Sequence, residues 1–96
     1  MKHSNDLSLG GAIKEFLKAY RLEDKVNETR IIKSWGKVLG KLVANHSREL
    51  YIKNRILYVK IDSAALRNEL SYAKGKIVKA LNKEVKADVI EDLVLN

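Results

Sequence analysis

Apolar residues recur at helical spacing near the start of the chain. They are separated by one, three or four positions, as on one face of an α-helix: Leu9, Ala12, Ile13, Phe16, Leu17 and Tyr20. Ser8 can cap the first turn with its hydroxyl group. The pattern therefore predicts a first helix over residues 8–20, and the polar residues 1–7 before it are expected to form a flexible N-terminus.

A second helix is predicted from about residue 27 to residue 45. At 100° per residue its apolar side chains fall in one sector, which includes Ile31, Trp35, Val38, Leu39 and Leu42. Its basic side chains fall in the opposite sector: Arg30, Lys33, Lys37 and Lys41. We therefore expect the apolar sector to face the core and the basic sector to face solvent. Gly36 and Gly40 lie between the two sectors, where the missing side chains allow close packing of another segment.

Two β-rich runs follow, over residues 50–53 and 56–61, and only Asn54 and Arg55 separate them. A two-residue connection that starts with Asn predicts a tight β-hairpin. In the second run the side chains alternate, so that Leu57, Val59 and Ile61 share one face while Tyr58 and Lys60 share the other. This alternation predicts one buried face and one basic, aromatic face.

A third helix is predicted after an N-cap at Asp62 or Ser63. Its apolar stripe would consist of Leu66, Leu70, Ala73, Ile77 and Leu81, opposite Lys76, Lys79 and Lys83. Asn82 is expected to end it in a left-handed conformation, and the alternation over residues 89–95 predicts a last strand.

The predicted order of elements, ααββαβ, indicates an α+β fold with a three-stranded mixed sheet and helices on one face. The strand–helix–strand crossover makes the second and third strands parallel. Ninety-six residues suffice for one core, so residues 8–96 are expected to form a single domain. The predicted core residues include Trp35, Leu42, Leu66, Leu70 and Ile77.

The net charge of +7 is unevenly distributed along the chain. Residues 27–60 hold eight Lys or Arg against two acids, and residues 74–86 hold five Lys against one acid. Such segregation predicts a surface that faces a polyanion, although lysine is also a common solubilising residue. The candidate nucleic-acid-binding residues are Arg30, Lys33, Lys37, Lys41, Lys53, Arg55, Lys60, Lys76 and Lys79.

Several classes of protein are disfavoured by composition. Cysteine is absent, and the two histidines, His3 and His46, are far apart in sequence, so we expect no metal site and no cofactor. No apolar run reaches the ~20 residues of a membrane span, which favours a cytoplasmic protein without a membrane partner. The pairs His46-Ser47 and Asp62-Ser63 lack a third catalytic member, so neither an enzyme nor a small-molecule substrate is expected.

The order of several short motifs resembles the DciA family of bacterial helicase-associated proteins. The tryptophan is followed by VLG, then VANHS, then a hairpin ending in LYVKIDSAALRNEL, then IVKALN and VIEDLVL, over residues 7–95. The resemblance is to the short, single-domain form, and it implies a KH-like domain that binds the replicative DNA helicase, assists its loading and contacts single-stranded DNA. Arg48 stands where many members have a proline, and the extension by which longer members bind the helicase is not found in this sequence.

Two alternatives remain open at the level of sequence. An RNA-binding KH-like module would clamp the nucleic-acid backbone with a GxxG loop, which this chain lacks, although Tyr51 or Tyr58 could stack on bases. A protein-only adaptor would present its basic surface to an acidic partner. In neither alternative is the protein an enzyme.

Overall fold

Helices and one three-stranded sheet make up the part of the protein described by the computed structural model, which is residues 8–20 and 22–96. The predicted flexible N-terminus, residues 1–7, lies outside the described residues. The helices are α1 Leu9–Ala19, α2 Glu23–Leu39, α3 Lys41–Asn45, α4 Ala64–Ser71 and α5 Lys74–Val85, and the strands are β1 Ser47–Lys53, β2 Ile56–Ile61 and β3 Asp92–Leu95. The predicted α+β class is confirmed.

Helix α1 forms where the apolar spacing predicts it. The Ser8 hydroxyl accepts a hydrogen bond from the backbone N–H of Gly11 at 2.9 Å and thereby caps the first turn. No residue of α1 is buried, and its apolar stripe, which includes Leu9, Ile13 and Phe16, is largely exposed. The helix is therefore amphipathic with an uncovered apolar face.

The predicted second helix is interrupted at Gly40. Gly40 has a φ of +96°, a left-handed conformation that favours glycine, so α2 ends at Leu39 and a short helix, α3, begins at Lys41. A Cβ atom on Gly36 would lie 3.3 Å from the Cβ of Ala44, which shows that α3 folds back closely onto α2 at this glycine. The start of α2 is also earlier than predicted, at Glu23, because Glu23 and Asp24 are well placed in a first turn where the helix dipole favours acids.

The break at Gly40 makes the prediction for Leu42 wrong. The predicted core position assumed one uninterrupted helix, whereas the break changes the direction of the residues that follow. Leu42 is 66% exposed, and Val43 is buried in its place. Trp35, which precedes the break, is 2% exposed, and its indole N–H donates a hydrogen bond to the Ser47 hydroxyl at 2.8 Å.

The sheet has the strand order β1-β2-β3, in which β1 and β2 are antiparallel and β2 and β3 are parallel, as predicted. Asn54 and Arg55 form the hairpin connection with φ values of 54° and 65°, the left-handed geometry of a type I′ turn. A β-bulge places Glu49 and Leu50 opposite the single residue Val59. Glu49 is left-handed at this bulge, with a φ of 51°.

The predicted third helix is two helices. The backbone N–H groups of Tyr72 and Ala73 bond to carbonyls three residues earlier, which tightens the last turn of α4, and Ala73 then leaves helical geometry with a φ of −122°. Ser63 caps α4, as its hydroxyl accepts a hydrogen bond from the N–H of Leu66 at 3.2 Å. Of the predicted stripe, Ile77 is buried, whereas Leu66 and Leu70 are half-buried and pack against the core.

Asn82 does not end α5, and Lys86 instead takes the left-handed conformation after the last turn. Asn82 is itself a residue of α5, and its side chain forms hydrogen bonds with the segment between α5 and β3. Its Nδ2 donates to the carbonyl of Ile90 at 2.8 Å, and its Oδ1 accepts from the N–H groups of Val89 and Ile90 at 3.0 and 3.1 Å. Because these backbone groups bond to Asn82, the strand begins at Asp92, three residues later than predicted.

The core lies between the helices and one face of the sheet. Its buried apolar side chains are Ile31, Trp35, Val43, Leu57, Val59, Ile61, Ile77, Leu81, Val85, Ile90 and Leu93. The other side of the sheet, which we call the open face, bears the residues that alternate with these: Tyr51, Lys53, Ile56, Tyr58, Lys60, Asp92 and Val94. In the described part of the chain, no helix is both long and apolar enough to cross a membrane.

Candidate nucleic-acid interface

The predicted basic sector of α2 lies on the outer side of the helix layer. Arg30, Lys33 and Lys37 are exposed, because Ile31 and Trp35 turn the opposite side of the helix into the core. The Nζ of Lys37 lies 2.6 Å from Glu84 Oε2 on α5, so this cation is already paired. Lys33 forms no ion pair with any described residue and is the more available of the two lysines.

Lys41 does not continue the row formed by Lys33 and Lys37. Lys41 is exposed at the first position of α3. Because the helix is broken at Gly40, the 100° rotation per residue of α2 no longer determines the side of the molecule on which Lys41 lies. The prediction of one lysine row along a single helix is therefore wrong in its geometry. The predicted contact of each residue with nucleic acid stays a prediction.

Helix α5 presents a second basic row. Lys76, Lys79 and Lys83 are exposed at i, i+3 and i+7, opposite the buried Ile77 and Leu81. Within residues 8–20 and 22–96, none of the three forms an ion pair or a hydrogen bond through its side chain. Lys83 was absent from the predicted interface, although its position opposite the apolar stripe could have added it.

Arg55 has partners that its position in the sequence does not reveal. Its guanidinium group lies 3.1 Å from the Asp88 carboxylate and 3.4 Å from the Glu91 carboxylate, and it also donates to the Asp88 carbonyl at 3.1 Å. These contacts tie the hairpin turn to the segment that precedes β3. Arg55 is thus a structural cation in this conformation, and a phosphate would have to compete with two carboxylates for it.

Lys53 and Lys60 lie on the open face, on the other side of the sheet from the helix layer. Lys53 has no ionic partner among the described residues, and Lys60 Nζ is 3.9 Å from Glu49 Oε2 in an exposed pair of little energetic weight. The structure therefore divides seven of the nine predicted cations between two surfaces and leaves two outside both. Arg30, Lys33, Lys37, Lys76 and Lys79 belong to the helix layer, Lys53 and Lys60 belong to the open face, and Lys41 and Arg55 stand apart.

His46 and Asp62 form a structural pair where α3 and β2 end. His46 Nδ1 lies 2.6 Å from Asp62 Oδ1, and this hydrogen bond, with the nearby Arg48 guanidinium, lowers the pKa of Asp62 below its ordinary value of 3.8. Neither neighbouring serine faces the imidazole: the Ser47 hydroxyl bonds to Val43 and Trp35, and the Ser63 hydroxyl caps α4. Among the described residues, no group of three or more His, Cys, Asp or Glu could hold a metal ion.

The family described as DciA, Dna[CI] antecedent, matches residues 8–95. This match covers every helix and strand of the structure. The chain belongs to the DciA family.

Membership in the DciA family connects the chain with loading of the replicative helicase. It also indicates a partnership with that helicase. A search of the curated proteins finds no match to the chain. The likeness of the DciA domain to a KH fold stays a prediction.

Proposed function

We propose that this protein assists the loading of the replicative DNA helicase as a non-enzymatic binding protein and holds single-stranded DNA on its helix layer. Family membership supports the helicase part of this proposal. The observation that carries the DNA part is the row of Lys76, Lys79 and Lys83, three exposed cations without an acidic partner in the described structure.

The geometry of this row suits a phosphate backbone. Lys76 and Lys83 are seven residues apart on α5, which corresponds to ~10 Å along the helix axis. Lysine is a compact cation on a flexible stem, so it can follow phosphates without reading bases. Each phosphate that it neutralises releases counterions from the nucleic acid. The expected binding is therefore sequence-independent and sensitive to salt.

The DNA part is tested by titrating a labelled single-stranded oligonucleotide at several salt concentrations. Replacing Lys76, Lys79 and Lys83 together by Gln removes up to three phosphate contacts. At ~0.7 per contact for a single strand, the slope of log K against log salt should fall by ~2. A matched control replaces Lys14, Lys18 and Lys25 by Gln, which removes the same charge from α1 and the start of α2 and should leave most of the slope intact. Equal slopes in the parent and the α5 variant would exclude this row.

The helicase part is tested by capture of purified replicative DNA helicase with and without nuclease. Capture that survives nuclease supports direct contact, whereas capture lost on nuclease treatment shows that nucleic acid bridges the two proteins. Capture without any oligonucleotide binding would favour the protein-only adaptor. Tighter binding of RNA than of DNA of the same sequence would favour the RNA-binding alternative.

A further inference from the structure

The open face of the sheet carries an aromatic pair that the helix layer does not explain. Tyr51 and Tyr58 are directly opposite each other on β1 and β2. Their ring centroids are 4.8 Å apart with an interplanar angle of 10°, so the two rings are stacked. Tyr51 is 50% exposed, and Lys53 and Lys60 on the same side of the sheet are exposed as well.

We infer that Tyr51 and Tyr58 form a stacking platform for the bases of single-stranded DNA, a contact separate from the phosphate contacts of the helix layer. Aromatic rings stack on nucleobases largely irrespective of base identity, because every base has a π-face. Because the two rings stack on each other, their inner faces are already covered, and a base would extend the stack on an outer ring face without a rearrangement of side chains. This inference rests on the proposed binding of single-stranded DNA.

The charges around the platform fit a strand of DNA. Lys53 is two residues from Tyr51 along β1, and Lys60 is two residues from Tyr58 along β2, so one lysine lies towards each end of the platform on the same face. Both lysines are exposed, and their cations can neutralise the phosphates that flank a stacked base.

The open face also has two carboxylates, one next to Lys60 and one on β3, where Ile56 separates it from Lys53. Glu49 Oε2 is 3.9 Å from Lys60 Nζ, and the Asp92 carboxylate accepts a hydrogen bond from the N–H of Leu93 at 2.8 Å. The exposed Glu49 pair is weak and can exchange its partner for a phosphate. The acidic groups therefore make the open face less positive, but they do not prevent its lysines from binding phosphates of DNA.

The space beside the rings is open. A depression of about 260 Å³ lies next to the tyrosines and is lined by Glu49, Tyr51, Tyr58, Val59, Lys60 and Asn96. The lining combines two tyrosines with polar side chains, the residue types that a site for stacking a base and hydrogen-bonding its edge requires. The depression belongs to the same face as Lys60, so a base and its phosphate can be engaged together.

The inference is tested by comparing a thymidine oligonucleotide with an abasic oligonucleotide of the same length and charge. The parent protein should bind the thymidine oligonucleotide about 5- to 150-fold more tightly, because only that ligand has bases to stack. The double variant Tyr51→Leu/Tyr58→Leu should lose this preference while its affinity for the abasic oligonucleotide and its salt slope stay the same. Tyr51→Phe/Tyr58→Phe keeps the rings and should keep the preference.

A matched control is available in Tyr72, which is 82% exposed at the junction of α4 and α5, away from the open face. Tyr72→Leu should retain the preference for bases. In the parent protein, addition of the thymidine oligonucleotide should shift the NMR ring-proton resonances of Tyr51 and Tyr58, whereas the abasic oligonucleotide should not. This measurement needs no variant and therefore does not depend on the stability of the leucine substitutions.

The outcomes separate this inference from the proposed function. If the parent protein binds the two oligonucleotides equally, the bases contribute nothing and the platform is refuted, although the proposed DNA binding stands. A leucine variant that keeps the preference also refutes the platform. If neither oligonucleotide binds, the proposed function fails together with the inference.

Discussion

Replacement of Asn82 by alanine tests how the last strand is attached to the helix layer. From helix propensity alone, Ala at position 82, in the last turn of α5, should stabilise the helix relative to Asn by ~0.6 kcal/mol. The structure predicts the opposite sign, because the Asn82 side chain makes three hydrogen bonds to the backbone of Val89 and Ile90. At ~1 kcal/mol for each bond, the net loss should be ~2–3 kcal/mol.

The assay is urea unfolding followed by circular dichroism, with the free energy of unfolding taken from the midpoint and the m-value. For a domain of this size the expected loss corresponds to a decrease in the melting temperature of ~10–20 °C. Asn68→Ala is the matched control, because Asn68 is exposed on α4 and its side chain has no hydrogen bond to another described residue. The control should change stability by less than ~0.5 kcal/mol. If Asn82→Ala is as stable as the parent, the side-chain attachment of residues 89–90 is refuted.

The remaining predictions use the same unfolding assay. Leu42→Gln should change stability by less than ~0.5 kcal/mol because Leu42 is exposed, whereas Trp35→Ala should cost ~3–5 kcal/mol because the indole is buried. A large loss for Leu42→Gln would contradict the break at Gly40, whereas parent-like unfolding of Trp35→Ala would contradict the burial of the indole. The lowered pKa of Asp62 means that its contribution to stability is present above pH 3.8 and is lost as the pH falls through and below this value. Asp62→Asn should therefore lose less stability on acidification than the parent, and identical pH dependence in the two proteins would refute this contribution.

The elements that the sequence predicted correctly are those that depend on local patterns. Helix α1, the hairpin and the parallel pairing of β2 with β3 follow from apolar spacing, turn residues and the handedness of crossovers. The predictions failed where the backbone changed direction. The burial of Leu42 was predicted from the spacing of apolar residues along one continuous helix, and the positive φ of Gly40 breaks that helix. The spacing of apolar residues does not indicate that one residue within the pattern has a positive φ.

In the candidate site, too, local features could be predicted from the sequence and tertiary contacts could not. The sequence identifies which residues are cations and which helical sector they occupy. It does not show that Lys37 pairs with Glu84 or that Arg55 lies between Asp88 and Glu91, because these partners are distant along the chain. Whether a cation is free to bind a phosphate therefore depends on the tertiary structure. The tyrosine pair could be predicted in part. The alternation of side chains predicted an aromatic face, but only the strand register shows that Tyr51 is opposite Tyr58.

The β-bulge in β1 has a consequence for how the protein behaves at high concentration. An outer strand of seven regularly spaced residues would offer its free N–H and C=O groups to a strand of another molecule, which is a common start of aggregation. In β1 the extra residue at Glu49 interrupts this spacing, and the ends of the strand carry the charged side chains of Arg48 and Lys53. The bulge thus protects an exposed sheet edge against intermolecular β-pairing.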